Sequence, residues 1–408
     1  MEELLRLLEK INVQLILKEN ALQEVVNVAK KLVSAGLVCV IAQEGEREIA
    51  CEIKKRLLEQ AYNVDYKELP STAEISLFSL NNFLDLSEET RLIFAVGEVA
   101  ELAKIVAYRL NIEWVFVATN AMLEDAVKSN VILYKNGKQT NYQAIKPKVV
   151  ICPLELILNQ KNELTGATFG LLFSKYIEIF DFYYSSLVFG KRYNRKLIVK
   201  IEQKIDEFFE LDFGENFRGK IKEMMILNLK ISALQEIENC FIFNKDIYML
   251  SSICKKYYGR TLGENAFLVA YCLFLIYNSY LTGKDTVMCL PPNKIEDLEQ
   301  LSKLIKEDLF EMIANISVCS MPFQQKKFVF LEYKNDLKKY FNKKMCSLSK
   351  IAQNFKRNYS DVGYFLQECL TSDEIIGLIN MASAMVSENM MLAQIKEEGL
   401  LDFKCCNE

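Results

Sequence analysis

Short apolar runs alternate with amphipathic helical segments through the first 150 residues of the chain, and the alternation then stops. Residues 37–42 form an unbroken apolar run of the kind found in strands buried on both faces. A helical pattern over residues 46–60 and a second strand pattern over residues 63–67 follow. Alternation of this length favours parallel strands joined by right-handed crossovers. The sequence therefore predicts an α/β domain here.

The same plan repeats once and is then interrupted. Strand patterns over residues 91–96 and 114–118 flank a helical pattern over residues 98–110. Two further strand-like runs, residues 131–135 and 138–142, are joined by Asn136-Gly137. Asn-Gly between two such runs is the strongest short-range hairpin signal, because both residues tolerate positive φ. With one more strand at residues 149–152, the sequence predicts a Rossmann-like domain with an inserted β-hairpin.

Helical periodicity dominates the rest of the chain. The candidate helices cover residues 169–184, 195–208, 220–238, 264–280, 295–314 and 374–395, and residues 1–36 also carry helical spacing. We expect two domains: residues 1–155 form the Rossmann-like, nucleotide-binding-type domain, and residues 156–408 form an all-helical domain.

The chain contains no histidine among its 408 residues. It therefore has no imidazole that could act as a general base near neutral pH, and it has no Ser-His or Cys-His nucleophile pair. It also has no histidine ligand for zinc or iron. Histidine-dependent catalysis is excluded for this sequence.

Charge and cysteine usage restrict the partners and the compartment. The 50 basic and 54 acidic residues nearly cancel, so no global field favours nucleic acid or an anionic membrane. Twelve scattered cysteines without C-x-x-C spacing are typical of reduced cytoplasmic thiols.

The most apolar run, Ala266 to Tyr280, is shorter than the ~20 residues of a membrane span, and we expect a buried core helix. No secretory leader is expected at the start of the sequence.

Short motifs in a fixed order resemble a known family. They are A-V-G-E-V-A-E-L-A-K at residues 95–104, A-Y-R-L at residues 107–110, V-A-T at residues 117–119, the Asn136-Gly137 hairpin and Pro147. This order resembles the sn-glycerol-1-phosphate dehydrogenases, which share a superfamily with glycerol dehydrogenase, iron-containing alcohol dehydrogenase and dehydroquinate synthase. The resemblance implies a dehydroquinate synthase-like fold and an NAD(P) cofactor.

The resemblance places the dinucleotide at a motif that reads G-G-G-S-x-x-D-x-x-K in the family. The matching cofactor-binding candidates are Gly97, Glu98, Glu101, Lys104 and Thr119. Ala95 and Val96 stand at the first two glycine positions, and Glu98 replaces the serine. A carboxylate on the first helical turn stabilises an empty helix N-terminus and repels a diphosphate. Two interpretations stay open: Glu98 caps a structural helix, or the cofactor site is rearranged.

The family also holds zinc or iron through one aspartate and two histidines. The matching positions are Leu171, Asn265 and Thr282, so the resemblance predicts that no zinc or iron binds. Asp181 matches a family aspartate and is expected to serve as a structural cap or hydrogen-bond acceptor. Lys175-Tyr176 and the run from Lys255 to Tyr258 offer the residue types of a metal-free proton-transfer pair, but no catalytic residue is assigned.

These observations predict a catalytically degenerate homologue, a pseudoenzyme with a binding or structural role. The alternative is a metal-independent NAD(P)-dependent oxidoreductase that acts on a small polyol phosphate. Expected partners are a small-molecule nucleotide ligand and further copies of the chain, with no nucleic acid and no membrane. Binding of a dinucleotide separates the two hypotheses.

Overall fold

The computed structural model describes residues 1–70, 86–135, 138–158, 162–192, 194–210, 217–239, 245–258, 262–283, 294–314, 321–358, 372–386 and 390–398. The chain divides into two compact units. The first comprises Met1–Lys161 and Asn216–Phe241, and the second comprises Asn162–Glu215 and Ile242–Glu408. Part of the first unit thus comes from the range that the sequence assigns to the helical domain.

The first unit contains all eight strands of the described residues. They are β1 (Gln14–Lys18), β2 (Leu37–Gln43), β3 (Asn63–Leu69), β4 (Thr90–Val96), β5 (Glu113–Val117), β6 (Asn130–Lys135), β7 (Lys138–Gln143) and β8 (Val149–Pro153). Six form one sheet in the order β1-β8-β5-β4-β2-β3, and every neighbouring pair is parallel. Strands β6 and β7 form a separate antiparallel hairpin. The predicted Rossmann-like sheet with an inserted hairpin is confirmed, although Asn136-Gly137 lies outside the described residues.

Helices make up most of the remaining described chain. They are α1 (Glu2–Lys10), α2 (Val25–Leu32), α3 (Arg47–Leu58), α4 (Ala100–Leu110), α5 (Leu154–Leu158), α6 (Asn162–Phe189), α7 (Arg195–Glu210), α8 (Phe217–Ile237), α9 (Lys245–Tyr258), α10 (Leu262–Thr282), α11 (Lys294–Ile305), α12 (Leu309–Ala314), α13 (Phe323–Asn358), α14 (Ser372–Ala382) and α15 (Met391–Glu397).

Strand β1 corrects the helical interpretation of the first 36 residues. The run Gln-Leu-Ile-Leu-Lys lies between α1 and α2 and pairs in parallel with β8, with Ile16 opposite Ile151. Its three central residues are half-buried, which suits a strand at the edge of a sheet. The local spacing of so short an apolar run does not distinguish a strand from a helix. Its pairing with β8, more than 130 residues later in the chain, makes it a strand.

Alternating residues of each strand pack into one of two apolar layers. In β2, Val38 and Val40 pack with helices α2 and α3 on one face of the sheet. Cys39 and Ile41 point to the other face, where α1, α4 and α8 pack. Because strands buried on both faces carry apolar residues at every position, β2 lacks the alternating pattern of a half-exposed strand.

Strand order creates a topological switch point between β2 and β4. From β2 the chain continues through α3 to β3, towards one edge of the sheet. From β4 it continues through α4 to β5, towards the opposite edge. Helices α3 and α4 lie in different apolar layers. In open parallel sheets, ligands bind outside the carboxyl ends of the strands at such a point.

Helix α8 joins the first unit through polar contacts on one of its faces. Asn228 Nδ2 donates to the carbonyl oxygen of Ala121 at 3.1 Å. Four residues later, Ser232 Oγ accepts from the backbone N–H of Val127 at 3.4 Å. Four residues further, Glu236 accepts from the backbone N–H of Ser129 at 2.9 Å. This helix therefore braces the connection between β5 and the hairpin.

The second unit is built around α6 and α10. A Cβ added to Gly170 of α6 would overlap the carbonyl oxygen of Gly263 in α10, so the two backbones touch there. In the described residues one helical stretch, Asn265–Thr282, is long and apolar enough to cross a membrane, and 61% of it is buried inside the protein. Its burial between neighbouring helices agrees with the core helix expected for residues 266–280.

Two predicted helices of the second unit are broken. The predicted helix 295–314 divides into α11 and α12 at Lys306, whose φ is +54°. The predicted helix 374–395 ends in a tight turn at Ser383–Met385 and resumes as α15. The sequence interpretation also missed α9 and α13. Both breaks lie inside a continuous helical sequence pattern, and periodicity does not register them.

Candidate functional site

The carboxyl ends of three neighbouring strands bring the predicted nucleotide residues to one edge of the sheet. Strand β2 is followed by Glu44-Gly45-Glu46, β4 by Gly97-Glu98, and β5 by Ala118-Thr119. The order β5-β4-β2 places these three segments side by side. We call this group, at the switch point, the crevice.

Gly97 is the turn residue of the crevice. Its φ is +69°, a left-handed conformation that favours glycine, and it opens a single 3₁₀ turn that leads into α4. A sharp turn after a strand, followed by a helix N-terminus, presents backbone N–H groups and the positive end of the helix dipole. The chain therefore has a left-handed glycine turn between β4 and α4.

The carboxylate of Glu46 lies against Gly97. A Cβ added to Gly97 would lie 2.7 Å from Glu46 Oε1 and 3.0 Å from Thr119 Oγ1. Thr119 Oγ1 donates a hydrogen bond to the same Glu46 oxygen at 2.7 Å. The space that glycine leaves open for a ligand is thus filled by a side chain of the protein.

The electrostatics of the crevice oppose an anion. Burial raises the pKa of Glu46 and the nearby Glu98 raises it further, whereas the hydrogen bond from Thr119 lowers it. Glu46 and Glu98 are therefore two like charges close enough to interact at the carboxyl ends of β2 and β4. A phosphate placed ~4 Å from one carboxylate meets a repulsion of ~4 kcal/mol at an effective dielectric constant of ~20.

Glu101 and Lys104 form an ion pair on α4. Lys104 is fully buried, and its Nζ lies 2.7 Å from Glu101 Oε1 and 2.5 Å from the carbonyl oxygen of Asp125. The ammonium group therefore links α4 to the segment after β5. Of the five predicted nucleotide residues, Gly97, Glu98 and Thr119 follow strand ends directly, while this pair lies further along the helix.

Sequence reasoning missed Glu46. It stands in an ordinary acidic run after a predicted strand, and nothing local separates it from Glu44 or Glu48. Its importance comes from the adjacency of β2 and β4, because the residues that follow two adjacent parallel strands meet at one edge. Knowledge of the strand order would have identified it.

The structure brings two of the three metal-ligand positions to one helix crossing. Leu171 adjoins Gly170 on α6, and Asn265 lies two residues from Gly263 on α10, beside the point where the two backbones touch. Thr282 ends the same helix, 17 residues beyond Asn265. At a rise of ~1.5 Å per residue, that is ~25 Å along the helix axis. Thr282 and Asn265 are therefore too far apart to share one ion.

Aromatic side chains pack around this helix crossing. The rings of Phe173 and Phe267 lie 4.7 Å apart between centroids, and those of Phe169 and Phe209 lie 4.9 Å apart. Leu171 itself is half-buried. Among the described residues, no group of three or more Cys, Asp or Glu side chains is placed to hold a metal ion. The residues at this crossing do not fit zinc or iron, which need charged or imidazole ligands.

Asp181 is a buried hydrogen-bond acceptor that connects three helices. It accepts from the hydroxyl of Tyr277 on α10 at 2.9 Å and from the backbone N–H of Met391 on α15 at 3.0 Å. Tyr277 in turn accepts from the backbone N–H of Leu392 at 3.3 Å. Burial raises the pKa of Asp181 well above its usual range. The predicted structural role of this aspartate is confirmed.

The lysine and tyrosine pairs do not converge on a common point. Lys175 Nζ contacts Glu178 Oε2 at 2.7 Å, whereas the hydroxyl of Tyr176 donates to Asp206 at 2.6 Å. The second run places Lys255, Lys256 and Tyr257 on the surface at the end of α9. These contacts are those of structural ion pairs and hydrogen bonds.

Curated sequence relatives are glycerol-1-phosphate dehydrogenases. The protein named glycerol-1-phosphate dehydrogenase [NAD(P)+] of Pyrococcus furiosus is 24% identical over 227 residues, 54% of this chain and 65% of that protein. The equally named protein of Methanosarcina mazei is 26% identical over 164 residues, 39% of this chain and 46% of that protein. The matched stretch thus covers less than two thirds of either relative. No protein-family model matches the chain.

Solved structures agree on the fold. A glycerol dehydrogenase from Schizosaccharomyces pombe aligns with a TM-score of 0.52 at 13% identity, over 85% of this chain and 91% of that one. An archaeal alcohol dehydrogenase from a Red Sea brine pool aligns with a TM-score of 0.54 at 11% identity, over 95% and 93% of the two chains. The predicted dehydroquinate synthase-like fold and the resemblance to this dehydrogenase superfamily are confirmed.

Proposed function

We propose that the chain is a catalytically inactive relative of the metal-using, NAD(P)-dependent glycerol-1-phosphate dehydrogenases and that it keeps their fold for a binding or structural role. The observation that carries the proposal is the helix crossing at Gly170 and Gly263. Leu171 and Asn265 flank that contact, and the phenylalanines around it pack against one another. A hydrocarbon side chain stands where the resemblance requires a carboxylate ligand.

The missing ligands matter because of the size of the effect that a metal supplies. Oxidation of an alcohol requires loss of its hydroxyl proton, and a catalytic metal lowers the pKa of a bound water from ~15.7 to ~7. A comparable shift on an alcohol, at ~1.4 kcal/mol per unit, amounts to ~10 kcal/mol. Asn265 and Thr282 are neutral side chains and supply no comparable stabilisation of an alkoxide.

The alternative, a metal-independent oxidoreductase, needs a protein group to move that proton. Lys175 and Tyr176 are the residue types that could do so, but their contacts with Glu178 and Asp206 direct them to different partners. The alternative rests on the sequence relatives, whose names include NAD(P)+.

The experiment is an activity assay of the full chain in both directions. NAD(P)H absorbance is followed with glycerol-1-phosphate or dihydroxyacetone phosphate, with and without added Zn²⁺ or Fe²⁺, and the metal content of the purified protein is measured in parallel. We expect no turnover and no stoichiometric metal, while the Pyrococcus furiosus relative serves as the positive control. Metal-dependent turnover would overturn the proposal, and turnover without metal would replace it with the alternative.

We also propose that the chain acts in the cytoplasm and assembles with further copies of itself. The support is the family resemblance together with the cysteine content, twelve thiols without C-x-x-C spacing. Light scattering of the purified protein tests the assembly: a mass equal to a single 47.1 kDa chain at all concentrations contradicts it.

A further inference from the structure

The crevice of the first unit contains a contact that the proposed function does not require. A degenerate nucleotide site need only lose its recognition residues, and its space can stay open. Here the space above Gly97 is filled by a carboxylate that is held in place. The Glu46 carboxylate thus sits beside Gly97 as a bound ligand would.

Three features of Glu46 match the needs of an anion in this position. Its oxygen lies against the open side of Gly97, where a Cβ would be 2.7 Å away. Thr119 Oγ1, itself almost completely buried, donates to it at 2.7 Å. The 3₁₀ turn at Gly97–Val99 leads into α4, and a negative charge is stabilised near the N-terminus of such a helix.

The charges around Glu46 indicate that its carboxylate excludes a phosphate. Glu98 is exposed at the first helical turn and raises the cost of a second negative group beside Glu46. The ammonium of Lys104 lies with Glu101 and the carbonyl oxygen of Asp125. A phosphate that entered the crevice would have to take the place of the Glu46 carboxylate.

We propose that Glu46 is an autoinhibitory occupant of the crevice: its carboxylate takes the position of a phosphate at Gly97, and a phosphate-bearing nucleotide binds only when Glu46 moves away or is removed. The inference rests on the proposed function, since it treats the crevice as a nucleotide site that the native chain keeps closed. It adds that the closure comes from one side chain and that the backbone beneath it still suits a phosphate.

The test is calorimetric titration of the full chain with NADH and with NADPH, in the native sequence and in three variants. Glu46→Ser removes the occupant, Glu46→Gln keeps its size without its charge, and Glu98→Gln is the matched control, because it removes the charge of a neighbouring, exposed carboxylate. We expect Glu46→Ser to bind at least one nucleotide about tenfold or more tightly than the native chain, since it removes both the like charge and the bulk of the side chain beside Gly97. Glu46→Gln should gain about threefold, and Glu98→Gln should gain less.

The contradicting results are equally specific. The inference is wrong if Glu46→Ser and Glu46→Gln, both folded by circular dichroism, bind no better than the native chain, or if the native chain already binds as tightly as Glu46→Ser. Where Glu46→Ser fails to fold, Glu46→Gln alone decides. Catalysis by the native chain would instead contradict the proposed function, and that result comes from the activity assay, so the two failures are distinguishable.

Discussion

The crevice of the first unit and the helix crossing of the second unit depart from the dehydrogenase pattern in different ways. In the crevice the backbone is intact, with Gly97 at positive φ before a helix, and one side chain fills the space above it. At the helix crossing the ligand types are gone, and α6 and α10 touch backbone to backbone beside Leu171. A site closed by one side chain can be reopened by one substitution. A site whose ligand side chains have been replaced by packed residues cannot be reopened by one substitution, because neighbouring residues fill the space.

The helix crossing predicts the largest effect. A Cβ at Gly170 overlaps a backbone carbonyl of α10, so Gly170→Ala should force the two helices apart and lower the free energy of unfolding by ~3 kcal/mol or more. Gly377→Ala in α14 is the matched control, since its Cβ meets nothing within 4 Å. That change should be neutral or stabilise by up to ~1 kcal/mol. Denaturant unfolding measures both, and equal effects would contradict close backbone packing at the crossing.

An attempt to restore the metal ligands sharpens the comparison. The double substitution Leu171→Asp with Asn265→His should lower the free energy of unfolding by ~1–3 kcal/mol, because it places polar groups among packed phenylalanines. Added zinc should not recover the loss, since the third position, Thr282, ends α10. Leu171→Asn is the uncharged control. A rise of the melting midpoint with zinc in the double variant alone would show that the crossing can still assemble a metal site.

A double-mutant cycle isolates the contact in the crevice. Gly97→Ala should cost ~1–3 kcal/mol in the native chain, from positive φ and from the approach of Glu46. In a Glu46→Ser background the contact with Glu46 is gone, while the backbone term and the 3.0 Å approach to Thr119 Oγ1 remain, so the cost should fall by ~0.5–1 kcal/mol. Thermal unfolding of the four proteins gives the coupling. Additive costs would show that Glu46 does not press on Gly97.

The smallest expected effect is a dependence on pH. Burial raises the pKa of Glu46 above its unfolded value, so folding favours the protonated form, and the contribution of this group to stability is lost as pH rises above ~4.3. The native chain should therefore lose stability relative to Glu46→Gln as the pH rises from about 4 towards neutrality.

Glu68 provides a control of opposite sign. The Arg47 guanidinium lowers the pKa of Glu68 to about 2, so its stabilising contribution is present above the unfolded pKa and is lost as pH falls. The native chain should lose stability relative to Glu68→Gln on acidification. Slopes of the same sign for the two variants would contradict the assignment.

Much of the fold follows from local sequence. The buried strands β2, β4, β5 and β8 are continuous apolar runs, and the hairpin is predicted by the Asn-Gly step. Strand β1 and helix α8 do not follow, because both depend on partners far along the chain. Residues of α8 contact the segment 121–129 more than 100 residues earlier, and no local pattern records that pairing.

The candidate site shows the same division. Leu171 could be found from the sequence, because a motif places it and leucine has no ligand atom. Glu46 could not, because its role depends on which strands are neighbours. The separation of Asn265 from Thr282 also needed the structure, since only a continuous α10 sets them ~25 Å apart.

Thermal unfolding of the native chain with millimolar NAD(H) or NADP(H), with and without zinc, tests the central claim most directly. The claim is that the chain keeps a dehydrogenase fold while its crevice and its helix crossing accept neither cofactor nor metal. A ligand at about 100 times its Kd stabilises a protein by ~2.7 kcal/mol, which is a clear rise in the midpoint. We predict no rise under any of these conditions. A rise with either dinucleotide or with zinc would contradict the account.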